Sequence, residues 1–222
     1  MGLDVVFDLD GTIVDSVGIC TDLMNEMLRA RGSLRSLTSD QVRCHISVGG
    51  ARMISTLFGT ECGDPDLEIA EFRARYAAVH TPASSLFGGA RESLMELAGS
   101  GARLTICSNK PQGLCEKALR DLELEHLFEV VVGSDGSRPA KPDPAPFLKV
   151  LELVGGSSSR AIYVGDAELD HAMARNVGVA FILMTHGYLN PGVMLEDAVR
   201  CDSFARLPTL VSRVSVDIHH AV

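Results

Sequence analysis

Phe7-Asp8-Leu9-Asp10-Gly11-Thr12 ends an apolar opening run, Leu3 to Phe7, and sets two carboxylates two residues apart where a buried strand should stop. Residues i and i+2 of a strand point the same way, so both aspartates cannot ionise side by side without a cation or a shared proton. Gly11 permits a sharp turn. The hexapeptide alone also reads as an ordinary Asp-Gly turn. It does not read as an EF-hand, which needs an oxygen ligand followed by glycine where this chain has Thr12-Ile13.

The chain has 222 residues, 46% of them apolar, with no tryptophan, a net charge of -9 and a pI near 5.2. That length supports one large domain or a domain carrying an insert. The acidic balance argues against nucleic acid or an anionic membrane as partner. No apolar stretch is long enough to span a bilayer and no signal peptide is read at the acidic N-terminus, so a cytoplasmic protein is expected. Cys20, Cys44, Cys62, Cys107, Cys115 and Cys201 form no C-x-x-C pair and read as packed thiols.

Further strand-like runs fall at Arg103–Cys107, Glu129–Val132, Ala161–Val164 and Ala180–Met184, separated by segments of helical spacing. This alternation predicts an α/β fold with a mainly parallel sheet covered on both faces, whose ligands gather at the carboxyl ends of strands. Asp8, Ser108-Asn109 and Gly165-Asp166 all lie at such ends. About 95 residues separate the first two strands, far more than one crossover helix requires, so an insert is expected there. Its helices are announced by a Cys20, Leu23, Met24, Met27, Leu28 stripe ended by Gly32, by a Thr38/Gln41 capping box, by a Met53, Ile54, Leu57, Phe58 stripe, and by Asp64-Pro65 ahead of Ile69, Phe72, Tyr76 and Val79. The expected division is a core of residues 1–14 and 86–222 and a helical insert of residues 15–85. The polar segment His80 to Gly89 reads as a hinge partner for the chain after Gly11.

Four segments now stand in order: Asp8-Leu9-Asp10-Gly11-Thr12, Ser108-Asn109, Lys141-Pro142-Asp143-Pro144 and Gly165-Asp166-Ala167-Glu168-Leu169-Asp170. Singly each has a plain reading, with Ser108 a turn residue, Lys141 a surface lysine before a helix and Asp166 a helix N-cap. Together, over nearly the whole chain, they resemble the four motifs of the haloacid dehalogenase-like phosphohydrolases. The resemblance implies a Rossmann-like parallel-sheet core with an inserted all-helical C1-type cap. Asp8 is then the nucleophile forming an aspartyl-phosphate, and Asp10 the acid and base. Asp10 favours a phosphatase or phosphomutase, since ATPase-like members carry threonine there and dehalogenases lack the second aspartate. Lys141 completes the catalytic set, while Gly11, Thr12, Ser108 and Asn109 bind phosphate or order its loops. Mg²⁺ is expected on Asp8, the Asp10 backbone carbonyl and Asp166, with Asp170 holding its waters or the lysine. Ala167 departs from relatives that carry a hydroxyl there.

Within the insert, the absence of lysine disfavours Schiff-base chemistry of the phosphonoacetaldehyde hydrolase type. Most of its arginines read as solvated helix faces. Arg43, His45, Gly50 and Arg52, around the Ser47-Val48-Gly49-Gly50 break, are the expected substrate-specificity residues. Cys107-Ser108-Asn109-Lys110-Pro111 and Thr185-His186-Gly187-Tyr188 resemble the phosphoglycolate phosphatase group most closely. The partner is then a small phosphorylated metabolite such as 2-phosphoglycolate, handled by a monomer or homodimer. The rivals are a β-phosphoglucomutase-like activity and a non-catalytic phosphate-binding protein; a receiver-type module fits poorly.

Overall fold

The computed structural model describes residues 2–46 and 49–220, so Ser47 and Val48 of the expected specificity loop lie outside the described residues. The chain divides into two compact units, residues 1–15 with 82–222, and residues 16–81.

Six strands form the sheet of the first unit: β1 (Asp4–Phe7), β2 (Arg103–Pro111), β3 (Val130–Ser134), β4 (Ala161–Gly165), β5 (Ala180–Met184) and β6 (Val199–Cys201), in the order β3-β2-β1-β4-β5-β6, all neighbours parallel. Alternation along β1 sorts its residues onto two faces. Val5 and Phe7 join Ile106, Ile162, Val164 and Ile182 in one core. Val6 joins Cys107, Tyr163 and Leu183 in the other. Strands buried on both faces explain the uninterrupted apolar runs in the sequence.

Helices of the first unit close both faces of its sheet. In the insert, α1 spans Val17–Ala30, α2 Ser39–Ile46, α3 Gly50–Phe58 and α4 Pro65–Ala78; in the first unit, α5 spans Ala90–Gly99, α6 Gln112–Asp121, α7 Ala145–Val154, α8 Glu168–Val177 and α9 Leu207–His220. Leu94, Leu97, Cys115, Ala118, Leu119, Leu207 and Val211 cover the Phe7 face, and Phe147, Val150, Met173 and Ala174 the Val6 face.

The helical unit follows its sequence signals closely. The Thr38 amide donates to Gln41 Oε1 at 2.9 Å, while the Gln41 amide reaches Thr38 Oγ1 at 3.4 Å, the reciprocal capping predicted for α2. Asp64 accepts from the Asp66 amide at 2.9 Å ahead of Pro65. The stripe residues of α1 and α3 are buried, as are Ile69, Phe72 and Tyr76. Val79 departs from its predicted stripe, because α4 stops at Ala78 and leaves it exposed.

Candidate active site

The strand order reverses at β1, whose neighbours β2 and β4 were added on opposite sides, and the carboxyl ends flanking such a switch point form a crevice. Phe7 pairs with both Ile106 and Val164, and the Asp8 amide donates to the Val164 carbonyl at 2.9 Å. Asp8, Ser108 and Asp166 are therefore brought together at the carboxyl end of the sheet.

β1 ends at Phe7, and residues after it wind into a turn in which the Ile13 and Val14 amides both donate to the Leu9 carbonyl, at 2.9 and 3.0 Å. The turn separates the aspartate pair. Oxygens of Asp8, Asp166 and Asp170 lie within 4.8 Å of one another, whereas the Asp10 carboxylate lies outside that cluster and accepts from Lys110 Nζ at 3.1 and 3.0 Å. The sequence reading placed the pair on the strand; β1 ends at Phe7, so both aspartates stand in the turn that follows it.

Lys141 is the hub of the buried cluster. Its ammonium lies 3.0 Å from Asp8 Oδ2 and 2.7 Å from Asp170 Oδ1, and it also contacts Tyr163 Oη at 3.0 Å and the Cys107 carbonyl at 3.3 Å. Burial alone would lower the lysine, but the Asp170 and Asp8 charges outweigh it and hold the ammonium far up its range. Asn109 fixes the backbone beneath, accepting from the Lys141 amide at 2.8 Å and donating to its carbonyl at 3.2 Å. Asp170 belongs to the lysine and its loop, since Oδ2 accepts from the Asp166 and Ala167 amides, both at 3.1 Å. Asp170, not Asp166, thus caps α8. Gly165 makes room for it, because a Cβ there would lie 2.6 Å from the Asp170 carboxyl carbon.

Asp166 sits in a cradle built by distant residues. Thr12 Oγ1 donates to its Oδ1 at 2.7 Å and the Tyr188 amide to its Oδ2 at 2.7 Å, and a Cβ on Gly11 or Gly187 would strike it. His186 holds the other side of Thr12 through its carbonyl at 3.0 Å and stacks on Phe87. Thr12, expected to bind phosphate, spends its hydroxyl on Asp166. The Ser108 hydroxyl opposes the rise in the Asp8 pKa.

The cluster carries more negative charge than its single lysine offsets. Burial pushes Asp8 up from 3.8 to about 6, with Asp170 adding to the rise and Lys141 opposing it. Burial, with Asp170 and Asp8 repulsion, drives Asp166 well above the usual carboxylate range. Hard oxygen donors, close-set and deficient in positive charge, suit a small divalent cation, and Asp8 and Asp166 are the pair still able to share it.

A family model of haloacid dehalogenase-like hydrolases matches residues 5–184. The chain belongs to the haloacid dehalogenase-like hydrolases. The phosphoglycolate phosphatase of Rhodospirillum rubrum is 34% identical over 213 residues, covering 91% of this chain and 88% of that protein. That of Caulobacter vibrioides is 34% identical over 192 residues, covering 84% and 81%. CbbY from Rhodobacter sphaeroides, solved in complex with phosphate, shares the fold with a TM-score of 0.78 at 22% identity, covering 93% of this chain and 96% of its own. This haloacid dehalogenase-like hydrolase is thus a phosphatase-type enzyme of the phosphoglycolate phosphatase-like group. No helix among its described residues is long and apolar enough to cross a membrane.

In this hydrolase the quoted motifs meet as far as Asp8, Ser108, Asn109, Lys141, Asp166 and Asp170 are concerned, with Gly11 and Thr12 serving Asp166. Arg43 and His45 lie half-buried on α2; Gly50 opens α3 and Arg52 is exposed on it. Other arginines of the insert have structural partners: Arg31 forks onto Glu68 at 2.6 and 2.7 Å, Arg35 reaches Glu61 at 2.9 Å and Arg75 reaches Glu71 at 2.7 Å.

Sequence reading gave no site role to Lys110, to Tyr163 or to the cradle residues Thr185–Tyr188. Tyr163 donates to the Cys107 carbonyl at 2.8 Å and lies 3.2 Å from Asp170 Oδ1. Tyr163→Phe should cost about 1–3 kcal/mol, because it removes one hydroxyl from three buried partners, Lys141, the Cys107 carbonyl and Asp170. Urea denaturation checks this, and a change under about 0.5 kcal/mol would show the contacts to be dispensable.

Proposed function

We propose that the protein is a Mg²⁺-dependent phosphomonoester hydrolase acting through an aspartyl-phosphate on Asp8, with 2-phosphoglycolate as the leading substrate. The observation that carries this reading is a buried carboxylate, Asp8, held 3.0 Å from the Lys141 ammonium beside Asp166 at the switch point of the sheet. The substrate is proposed from the activity for which the relatives in Rhodospirillum rubrum and Caulobacter vibrioides are named.

A phosphate monoester repels nucleophiles by its own charge, so the site must first neutralise it. Asp8 and Asp166 would hold Mg²⁺, with the Asp10 carbonyl as a further donor. When bound, the ion offsets phosphoryl charge and fixes orientation. Lys141 steadies phosphoryl oxygens as a point charge, Ser108 donates a hydrogen bond, and Asn109 keeps the lysine loop in register. An Asp8 oxygen bonds to phosphorus as the ester P–O bond breaks, and the departing alkoxide takes its proton from protonated Asp10. Asp10, now a carboxylate, takes a proton from water as the water oxygen bonds to phosphorus. The Asp8–phosphorus bond breaks and phosphate leaves.

Phosphate release should be measured over 2-phosphoglycolate, phosphosugars, nucleoside monophosphates and pyrophosphate, with and without Mg²⁺. A metal-dependent preference for 2-phosphoglycolate is expected; preference for another ester would discard the substrate, and no release from any would discard the hydrolase. Arg52→Ala is expected to raise KM for 2-phosphoglycolate more than for a neutral phosphosugar, and equal changes would remove Arg52 from substrate recognition.

Mg²⁺ also has a thermal signature. Asp8 has a folded pKa raised from 3.8 to about 6, so its contribution to stability is complete below 3.8 and lost as pH rises through about 6. The ion binds the deprotonated form and should restore stability in that upper range. Mg²⁺ is therefore expected to raise Tm at pH 7.5 and much less at pH 5, and Asp166→Asn should remove the effect. An equal rise at both pH values, or one kept by Asp166→Asn, would place the ion elsewhere.

A further inference from the structure

Lys110 reaches the site from a strand that has broken its pairing. β2 pairs with β3 in regular register from Thr105 to Cys107 and again at Pro111 after a shift, so Ser108, Asn109 and Lys110 occupy the irregular stretch between. The Lys110 backbone is tied on both sides, its amide donating to Ser108 Oγ at 3.3 Å and its carbonyl accepting from Cys115 Sγ at 3.4 Å. Its side chain is only 6% exposed, against 21% for Asp10, and the ammonium reaches both Asp10 oxygens.

A lysine stem is flexible and its head strongly hydrated, so burying it is unfavourable unless a partner is fixed in return. The two aspartates of the opening motif are sorted onto two lysines. Asp8 belongs to Lys141 inside the buried cluster, and Asp10 to Lys110 outside it. We propose that Lys110 is the positioning residue of Asp10, gripping both carboxylate oxygens so that the group handling the proton stays apart from the nucleophile's cluster. This rests on the acid and base role given to Asp10 above. Lys110 makes and breaks no bond to substrate; it removes the rotational freedom Asp10 would otherwise have in its turn, and proton transfer depends steeply on that placement.

Replacing Lys110 with Met keeps the apolar stem and deletes the charge. K110M is expected to lower kcat on the order of 10- to 100-fold with KM within about threefold of wild type. Lys110→Arg should recover most of the rate, since a guanidinium can also fork onto a carboxylate. On an Asp10→Ala background the Lys110→Met change should lower the rate less than about twofold, because a residue acting through Asp10 has nothing left to position. Lys110→Gln, which keeps much of the stem and a donor, replaces the Met variant in the cycle where that variant fails to fold. A crystal structure of the variant should show the Asp10 carboxylate turned away from its present position, a result independent of turnover. Turnover retained in Asp8→Asn would count against the hydrolase reading and leave this structural outcome to decide the lysine. An Asp10 side chain unmoved in the variant, an equal loss of rate in both backgrounds, or an effect on KM alone would overturn the proposal.

Discussion

Asp8→Asn is expected to lower phosphate release by at least about 10⁴-fold, because the amide removes the proposed nucleophile and no other carboxylate of the site can take over without releasing its own partners. Asp166 is bound by Thr12 and Tyr188, Asp170 by Lys141 and two amides, and Asp10 by Lys110. The fold should survive the change. The Asn side chain keeps an oxygen for the Leu9 amide, which donates to Asp8 Oδ1 at 2.7 Å, and Lys141 keeps Asp170. Asp8 is a buried acid whose folded pKa stands above its unfolded one, so neutralising it should not reduce stability above pH 6 in the absence of metal. Steady-state release and a thermal melt at pH 7.5 check both parts. Turnover within tenfold of wild type, on the order of 1.4 kcal/mol of barrier, would remove Asp8 as nucleophile.

The second large effect belongs to Lys141. Lys141→Met should destabilise the protein by about 3–5 kcal/mol at neutral pH, because Asp8 and Asp170 are left buried with their shared cation gone. It should also lower kcat at least about 10²-fold through the lost phosphoryl contact. The sign with pH separates charge from packing. Asp8, raised by burial to about 6, takes up its proton on acidification through that range, so the stability deficit should shrink at low pH; a lost methylene contact would cost the same throughout. Denaturant unfolding at pH 5 and pH 7.5 measures the difference, and a pH-independent deficit would refute the electrostatic origin.

The parallel core was legible because apolar runs at β1, β2, β3, β4 and β5 are long enough to stand out between helical segments. β6 was not, since Val199-Arg200-Cys201 is three residues long and exposed at its first two positions. Asp8, Ser108 and Asp166 were legible because they stand at strand ends, where chemistry concentrates, and Lys141 joined them through the resemblance of the four segments to the haloacid dehalogenase-like motifs. Their partners were harder to read. Thr12 meets Asp166 across 154 residues and Lys110 meets Asp10 across 100, and no local period encodes such choices. Lys110 sits beyond the apolar run of β2, and Tyr163 reads as one more strand residue until its hydroxyl is seen against Lys141. The Thr185-His186-Gly187-Tyr188 segment was visible as a motif, but its hold on Asp166 comes from a backbone amide and a missing Cβ at Gly187, neither of which a side-chain pattern reveals.

The most direct measurement is acid-quenched mass spectrometry of the enzyme mixed with Mg²⁺ and its best substrate from the phosphate-release panel. A phosphoryl group should appear within a turnover on the peptide carrying Asp8, and be absent from Asp8→Asn. Full turnover with no phosphorylated peptide, or with the group on another residue, would contradict the assignment of Asp8 as the nucleophile.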